Sequence, residues 1–426
     1  MKSAFVSALI VAVACSHGRV VKTSVRTPRG ETVTGVSDAV SQTGPETGAE
    51  KETEKETETE PETEPETEPE TETETEPETE PETEPETEPE TEPETGADFK
   101  QELSNDGLEA DMTKPVKVFI LMGQSNMLGS GDVEPNGKEG TLANATKTKG
   151  LYQHLLDANK NWAVRKDVRN VHVMGSGDGP WNALKNDWLT GADTKRIGPE
   201  LQFGYIMGHF FDEPVLILKS CIGNRSLGFD LLPPDSVQYE YDGYTYAGFG
   251  ESPAKWKIGT TPAPINWTAG IQYKGDTKAA KDVLDALGTY YPGATKYEIA
   301  GFAFWQGDKD RYDAGHASQY EKNLVHLIKI LRRDFNAPKA PFVSATLGQT
   351  QKGATGNDGL ILSAQLAVDG ENGKYPEFLG NVATVYSHPL SKGGSSNGHY
   401  NNNAETYMNV GDALGWAMLK MLKGSN

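Results

Sequence analysis

Four short stretches contain residue types that can do chemistry, and each follows a run that is predicted to be a strand. The first is Gly-Gln-Ser-Asn-Met at residues 123–127, directly after the apolar run at 116–122. A serine at such a strand-to-helix turn exposes its hydroxyl where backbone N–H groups are free, although serine there is often only a helix cap. The hydroxyl of Ser125 is therefore a candidate nucleophile.

Two further stretches supply hydrogen-bond donors and carboxylates. In Ser-Cys-Ile-Gly-Asn, Gly223 allows the backbone to approach a ligand closely and to donate its N–H. Its neighbour Cys221 is predicted to be a small buried residue, not a nucleophile. The stretch Trp-Gln-Gly-Asp-Lys-Asp provides the amide of Gln306 and the carboxylates of Asp308 and Asp310. Each stretch alone is equally compatible with an ordinary turn.

The fourth stretch lies between the last predicted strand and the last predicted helix, and it contains a candidate base. His399 stands there in a loop rich in Gly and Asn. The chain has 8 His, of which five lie in predicted helices, strands or peripheral loops, so only His388 is a credible rival. A hydroxyl, a base, carboxylates and amide donors together form the set that acyl transfer requires.

The elements between these stretches predict that the four meet at one place. Periodicity indicates alternating strands and helices: strands at 116–122, 170–174, 215–220, 298–305, 342–347 and 381–386, and helices at 200–211, 276–291, 318–335, 362–368 and 404–422. Such alternation implies right-handed crossovers and a parallel sheet between helix layers. The predicted fold class is α/β, a three-layer α/β/α sandwich with a mainly parallel central sheet, and ligands bind such sheets beyond the carboxyl ends of the strands.

The four stretches, in their order along the chain, resemble the SGNH (GDSL-like) hydrolases. The motif Gly-Gln-Ser-Asn-Met, the Gly after a middle strand, Trp-Gln-Gly followed by acidic residues and the late Gly-His-Tyr carry this resemblance over residues 116–422. The most similar branch contains the sialate O-acetylesterases and acetylxylan esterases. The resemblance implies a flavodoxin-like fold. It also implies a serine esterase that removes O-acetyl groups from carbohydrate, either acetylated polysaccharide such as acetylxylan or O-acetyl sialic acid.

The resemblance also implies a role for each matching residue. Ser125 would be the nucleophile and His399 the general base. The oxyanion hole would consist of the backbone N–H groups of Ser125 and Gly223 together with the Gln306 amide. Polar residues beside the motifs are expected to contact the substrate, namely Gln124, Asn126 and Asn224.

One position departs from the pattern of these hydrolases. They usually carry Asp three residues before the catalytic His, and Ser396 occupies that position here. A serine cannot stabilise an imidazolium as a carboxylate does. Some relatives have Glu at the place of Asp308 and an Asp that matches Asp310. We therefore hypothesise that Asp308 or Asp310 orients His399, with a preference for Asp308.

Residues 230–268 show neither the helical nor the strand periodicity of apolar residues, so they are predicted to form a long loop insertion. Because loops of that length are usually functional, we expect the insertion to lie near the site. The insertion is rich in Tyr, and four tryptophans lie near it in sequence: Trp181, Trp188, Trp256 and Trp267. These aromatic residues could provide platforms on which sugars stack, or they could belong to the core.

Several function classes find no support in the sequence. The chain has no His-Glu-x-x-His, no paired Cys-x-x-Cys and no Gly-Lys-Ser/Thr phosphate loop, so no metal or cofactor is required. Outside the acidic residues 50–94 the net charge of the chain is near zero, so the sequence lacks the excess of basic residues that a nucleic-acid-binding surface needs. Two alternatives stay open: a non-catalytic carbohydrate-binding or adhesive surface module, favoured by Ser396, and a calcium-binding stalk. The oligomeric state is not indicated.

The N-terminal part is predicted to be an export signal followed by a spacer. One Lys and a short apolar run indicate a signal peptide at 1–15, in which Ala-Val-Ala fits a cleavage site and Cys15 resembles a lipid-anchor position. Residues 16–111 are predicted to be a disordered linker with a Glu/Thr/Pro stalk at 44–97. Between residues 50 and 94, 23 Glu against two Lys give −21 of the total net charge of −22. We expect a secreted or cell-surface protein with one domain at 112–426.

Overall fold

The computed structural model describes residues 23–26, 32–35, 102–104, 107, 109–192 and 194–424. The predicted signal peptide at 1–15 and the predicted stalk at 44–97 lie outside these residues. The chain divides at residue 88 into two units. In the first, two short strands pair in antiparallel fashion within the predicted linker. No strand was expected there from the sequence.

All strands are numbered in chain order, with these bounds: β1 Thr23–Arg26, β2 Thr32–Gly35, β3 Val116–Gly123, β4 Gly131–Asp132, β5 Val164–Gly175, β6 Trp181–Thr190, β7 Arg196–Ile197, β8 Val215–Ser220, β9 Tyr239–Tyr241, β10 Tyr244–Tyr246, β11 Lys255–Lys257, β12 Tyr297–Trp305, β13 Phe342–Ala345 and β14 Val382–Val385. The α-helices are α1 Ser125–Leu128, α2 Glu200–Phe210, α3 Ile271–Asp285, α4 Leu287–Tyr290, α5 Ala314–Asp334, α6 Gly356–Ala367 and α7 Ala404–Gly424.

The central sheet of the second unit has seven strands among the described residues, in the order β14-β13-β12-β3-β8-β5-β6. Every neighbouring pair is parallel except β5 and β6, which pair in antiparallel fashion at one edge. The predicted α/β class with a mainly parallel sheet is therefore confirmed. The edge strand β6 was missed because its apolar residues are interspersed with polar ones and only Leu189 is buried, so it lacks an apolar run.

The position of strand β3 between two core clusters explains why its residues 118–122 are all apolar. Val118 and Ile120 belong to the core cluster on one face of the sheet, whereas Phe119 and Leu121 belong to the cluster on the other. Helices α3, α5 and α6 cover the first face, and α2 and α7 cover the second. A strand that is buried on both faces needs apolar residues at odd and even positions alike.

The segment at 237–265 is not the irregular loop that the sequence predicted. It contains a three-stranded antiparallel sheet, β11-β10-β9, whose strands of three residues are too short to give a periodic signal. The sheet is attached to the start of α5, because the hydroxyl of Tyr246 (2.9 Å) and the ammonium of Lys255 (2.6 Å) both donate to Asp313. Gly315 allows the Tyr246 ring to approach, since a Cβ there would overlap it.

Candidate active site

The candidate nucleophile lies at a sharp turn at the end of β3. Gly123 has a φ of 147°, and a Cβ at this position would overlap the backbone carbonyl of Trp305 on β12. Only glycine fits this approach, and the chain then turns directly into α1. Ser125 is the first residue of α1, and its side chain is half-buried. Its backbone N–H donates no hydrogen bond to any residue that the structure describes.

The loop after β8 brings a second backbone donor to Ser125. A Cβ placed on Gly223 would lie 3.5 Å from the Cβ of Ser125, so the two residues are in contact distance. Among the described residues the N–H of Gly223 also has no acceptor. Arg225 fixes this turn by donating to the carbonyls of Gly223 (3.4 Å) and Asn224 (3.2 Å). Two unpaired N–H groups beside a hydroxyl are the arrangement that stabilises a developing oxyanion.

The amide of Gln306 lies nearby, but its hydrogens are already in use. Its Nε2 donates to the carboxylate of Asp310 (2.6 Å) and to the backbone carbonyl of Arg225 (2.8 Å). Its Oε1 accepts from the hydroxyl of Tyr320 at 2.7 Å, which fixes the orientation of the amide. Gln306 is thus a link to the loop that carries Gly223, whereas the family resemblance implied that its amide donates in the oxyanion hole.

Asp310, one of the two candidate acids, faces the loop after β8. Besides Gln306, its carboxylate accepts from the backbone N–H groups of Leu227 (2.8 Å) and Gly228 (2.7 Å). Burial raises the pKa of Asp310, and these donors and nearby His316 oppose that shift. Within the described residues, none of its hydrogen bonds reaches the loop of His399. The observed contacts of Asp310 instead hold the loop after β8.

Asp308, the other candidate acid, does reach the loop of the histidine. Its Oδ1 accepts from the hydroxyl of Ser396 at 2.6 Å and from Nε of Arg311 at 2.9 Å. Ser396 is the position at which the resembling hydrolases carry their acid, three residues before His399. Asp308 is only 9 % exposed, and its Oδ2 forms no hydrogen bond with a described residue. The carboxylate is therefore held through one oxygen, with the other unengaged.

His399 begins a left-handed turn. Residues 399–402 have φ values of 49°, 54°, 50° and 57°, a backbone conformation that L-residues rarely adopt in succession. The Tyr400 ring stacks on Trp305 with centroids 5.8 Å apart, and Asn402 accepts from the hydroxyl of Ser130 at 2.8 Å. These contacts fasten the turn to β12 and to the chain that follows α1. The half-buried ring of His399 forms no hydrogen bond with any described residue.

The rival histidine lies at the same end of the sheet but has a partner. Nδ1 of His388 is 2.8 Å from the backbone carbonyl of Gly348, and its ring lies against Tyr386. A ring nitrogen that is fixed in this way positions the loop after β14. The ring of His399 has no such partner among the described residues.

Two of the three residues expected to contact substrate are inaccessible. Gln124 is 1 % exposed and its Oε1 accepts from the backbone N–H of Lys309 at 3.4 Å, while Asn126 is 0 % exposed. Both side chains lie inside the turn, whereas they were expected at the surface of the site. Only Asn224 is exposed at the surface beside the candidate nucleophile. Neither amide atom of Asn126 has a hydrogen-bond partner among the described residues.

A pocket beside the loop after β8 was not anticipated from the sequence. It has a volume of about 280 Å³ and is lined by Asn224, Arg225, Asp230, Trp267 and Lys309. The guanidinium of Arg225 lies 5.0 Å from the centroid of Trp267, and the indole N–H of Trp267 donates to Asp230 at 2.9 Å. The ammonium of Lys309 is exposed and has no hydrogen bond or ion pair with a described residue.

The tryptophans near the insertion divide into two groups. Trp181 and Trp188 pack against the core, where Trp181 donates to Asp282 (2.9 Å) and Trp188 contacts Tyr291 edge-on. Trp256 packs against the small apolar cluster of the insertion. Only Trp267 of the four lines the pocket. The sequence left open whether these tryptophans belong to the core or stack on sugars. The structure puts Trp181 and Trp188 against the core and Trp267 at the pocket.

Three further features of the described residues concern a membrane-spanning helix, a metal site and a second nucleophile. Among the residues that the structure describes, no helix is long and apolar enough to cross a membrane. No three His, Cys, Asp or Glu side chains in that part of the chain lie close enough together to hold a metal ion. Cys221 is fully buried, and burial raises the pKa of its thiol, so the thiolate needed for nucleophilic attack is disfavoured.

Comparison with a protein family gives a match over most of the second unit. Residues 115–236 and 266–420 match the family described as carbohydrate esterase, sialic acid-specific acetylesterase. The two matched segments include all four stretches of the site and omit residues 237–265, which contain β9, β10 and β11. No curated protein matches the sequence.

Solved structures of low sequence identity also resemble the chain. One is a protein from Arabidopsis thaliana, with 19 % identity, a TM-score of 0.40 and coverage of 72 % of this chain and 98 % of that one. A carbohydrate acetylesterase from Xanthomonas citri has 14 % identity, a TM-score of 0.43 and coverage of 72 % and 57 %. NanS has 14 % identity, a TM-score of 0.31 and coverage of 56 % and 69 %.

Proposed function

Because this chain belongs to the family of sialic acid-specific carbohydrate acetylesterases, we propose that it removes O-acetyl groups from carbohydrate through a Ser–His–acid mechanism. The main support for the proposal is the environment of the Ser125 side chain. Its hydroxyl lies at the carboxyl edge of the sheet, beside two backbone N–H groups that have no acceptor among the described residues. Family membership makes the protein a carboxylic ester hydrolase, and the roles of individual residues are our proposal.

In the proposed reaction the Ser125 hydroxyl attacks the acetyl carbonyl while His399 takes its proton. The oxyanion of the tetrahedral intermediate accepts from the N–H groups of Ser125 and Gly223. Collapse of the intermediate transfers the proton from His399 to the sugar oxygen and leaves an acetyl-enzyme. Water, activated by His399, then attacks this ester, acetate leaves, and Ser125 regains its proton. The charge of Asp308 favours the imidazolium form of His399 during both steps.

The missing Asp at position 396 no longer favours a non-catalytic binding module. In the structure the hydroxyl of Ser396 contacts the carboxylate of Asp308, so a negative charge is present at the loop of the histidine. This contact supports assigning the acid of the proposed mechanism to Asp308. Asp310 is proposed instead to hold the loop that carries Gly223.

Gln306 is proposed to act by supporting the oxyanion hole. We expect Gln306→Ala to lower kcat for p-nitrophenyl acetate by about 10²-fold, because a loop that shifts takes the N–H of Gly223 out of the oxyanion hole, and loss of one such donor has an effect of this size. The variant removes the link to Arg225 and leaves the buried Asp310 with one donor fewer. Gln238→Ala, at an exposed position of the insertion, serves as the matched control. An unchanged kcat in Gln306→Ala would exclude this supporting role.

The substrate is proposed to be an O-acetylated sialic acid in preference to acetylxylan. Trp267 lines the pocket next to the loop that carries Gly223, and Arg225 and Lys309 place two cations there. The carboxylate of sialic acid would neutralise this charge, whereas the xylose units of acetylxylan carry none. The carboxylate of Asp230, which accepts from Ser226 and Trp267, offsets one of the two cations and leaves one net positive charge on the lining of the pocket.

Replacing Lys309 by Met tests this preference. We expect KM for O-acetyl sialic acid to rise about tenfold, the effect of losing one hydrogen bond between charged groups. Hydrolysis of acetylxylan and of p-nitrophenyl acetate should stay within twofold of the wild type. Lys322→Met, at an exposed position of α5, is the matched control. An equal change for charged and neutral substrates would contradict the assignment of the pocket.

The proposed location is outside the cell or at the cell surface. The apolar segment within residues 1–15 supports export, and the acidic segment at 44–97 would separate the esterase domain at 112–426 from any anchor at Cys15. Residues 1–15 and 44–97 lie outside the described residues. The matched segments of the family fall within the proposed domain.

A further inference from the structure

Ser396 is buried at the base of the turn that carries His399. Its side chain is 0 % exposed, and its hydroxyl donates to Oδ1 of Asp308 at 2.6 Å. The backbone carbonyl of Ser396 accepts from the N–H of His399 at 3.0 Å, and its own N–H donates to Oε1 of Gln349 at 3.2 Å. A buried hydroxyl without a partner is costly, so this short charge-assisted contact holds two loops together.

The contact also determines how the carboxylate of Asp308 is presented. Ser396 and Arg311 both donate to Oδ1, and two donors on one oxygen fix the rotation of the carboxylate. Oδ2 forms no hydrogen bond with a described residue, so it stays available. Arg311 also lies 3.7 Å from Asp358, which limits the net positive charge at this point.

We propose that Ser396 is a positioning residue, which holds Asp308 in the space that a carboxylate at position 396 would fill. The acid of the mechanism then comes from the loop after β12 and not from the loop of the histidine. At 2.6 Å the Ser396 hydroxyl and the Asp308 carboxylate are in direct contact, so an acid at one position can replace an acid at the other. Arg311 lies beside both and would remain the counter-charge. This inference rests on the proposed Ser125–His399 mechanism.

An exchange of the two side chains provides the test, with the full chain assayed on p-nitrophenyl acetate. We expect Asp308→Ser to lower kcat by about 10³-fold or more, as losing the acid of a triad does. Adding Ser396→Asp to this variant should restore kcat at least tenfold. Ser395→Asp added to Asp308→Ser is the matched control, because it places the same charge on the adjacent residue, and it should restore nothing.

A folded exchange variant that is no more active than Asp308→Ser would overturn the proposal, with circular dichroism and melting temperature as the measures of folding. If the exchange variant does not fold, Ser396→Ala and Ser396→Thr decide. Ser396→Ala should lower kcat about tenfold with KM unchanged, and Ser396→Thr, which keeps the hydroxyl, should recover most of the loss. A kcat equal to the wild type in Ser396→Ala would also overturn it.

The pH profile separates positioning from simple stabilisation. A misplaced Asp308 stabilises the imidazolium less well, so the acid limb of kcat/KM should move to lower pH in Ser396→Ala and return in Ser396→Thr. An unmoved acid limb would indicate a purely structural role. Failure of the proposed Ser125–His399 mechanism can be distinguished from failure of the role of Ser396, because esterase activity would then persist in Ser125→Ala. With Ser125-dependent activity and no effect at position 396, only the present inference fails.

Discussion

Replacing Ser125 by Ala is expected to lower kcat for acetate release by about 10⁴-fold or more, the scale seen when a serine nucleophile is removed. The variant leaves the two backbone N–H groups and the pocket in place, so substrate should still bind. In the wild type the hydroxyl of Ser125 forms no hydrogen bond with a described residue, so the fold should not depend on this hydroxyl. Melting temperature should therefore stay within a few degrees of the wild type, since such surface changes alter stability by less than about 0.5 kcal/mol.

Ser363→Ala is the matched control for this variant. Ser363 is exposed on α6 and belongs to none of the four stretches of the site, and its loss should change neither kcat nor stability. Retention of more than about a tenth of wild-type turnover in Ser125→Ala would contradict the assignment of the nucleophile, because general-base catalysis alone contributes far less than the full mechanism.

Replacing His399 by Ala is expected to have the second largest effect, a loss in kcat of about 10⁴-fold. Without a base, the Ser125 hydroxyl stays protonated and is a weak nucleophile. Added imidazole should restore part of the activity, which distinguishes a missing base from a disturbed loop. The backbone of the turn should persist, because Tyr400 and Asn402 make the contacts that hold it.

His388→Ala is the control that separates the two histidines. His388 lies on the same edge of the sheet, but its Nδ1 contacts the carbonyl of Gly348. We expect a change of only a few-fold in kcat, the effect of losing one neutral hydrogen bond at about 1 kcal/mol. If His388→Ala abolished activity while His399→Ala retained it, the roles of the two histidines would be reversed.

The fold could largely be predicted from the sequence, because the central strands are buried on both faces. Such strands give apolar runs that are bounded by turns, as residues 116–123 illustrate. Strands of mixed composition and very short strands give no such run, so β6 and the sheet β11-β10-β9 were missed. The positive φ values at 399–402 had one signal, the run of three Asn, since Asn tolerates the left-handed conformation better than most residues.

The site was predictable in its location but not in its contacts. Parallel strands end at the same edge, so the stretches containing Ser125, Gly223 and Asp308 had to meet. Whether a polar side chain at that edge faces solvent or the interior depends on packing from distant elements. Gln124 is enclosed for this reason. Trp267 reaches the pocket because the apolar cluster beneath the insertion supports it, a tertiary effect with no local signal.

The contact between Asp308 and Ser396 illustrates the same limit. The two residues are 88 positions apart, and nothing local to either predicts that they form a hydrogen bond. Sequence reasoning could place two carboxylates near the histidine but could not choose between them on physical grounds. The structure separates them, because Asp310 faces the loop after β8 and Asp308 faces Ser396.

The most direct test of the central claim is to label the full chain with a fluorophosphonate, which reacts with activated serine hydroxyls, and to locate the label by peptide mass spectrometry. The account predicts one label per chain, on Ser125, with acetate release lost in proportion to labelling. It also predicts that His399→Ala labels far more slowly. Labelling of a different serine, or full esterase activity in a chain labelled at Ser125, would contradict the assignment of Ser125 as the nucleophile.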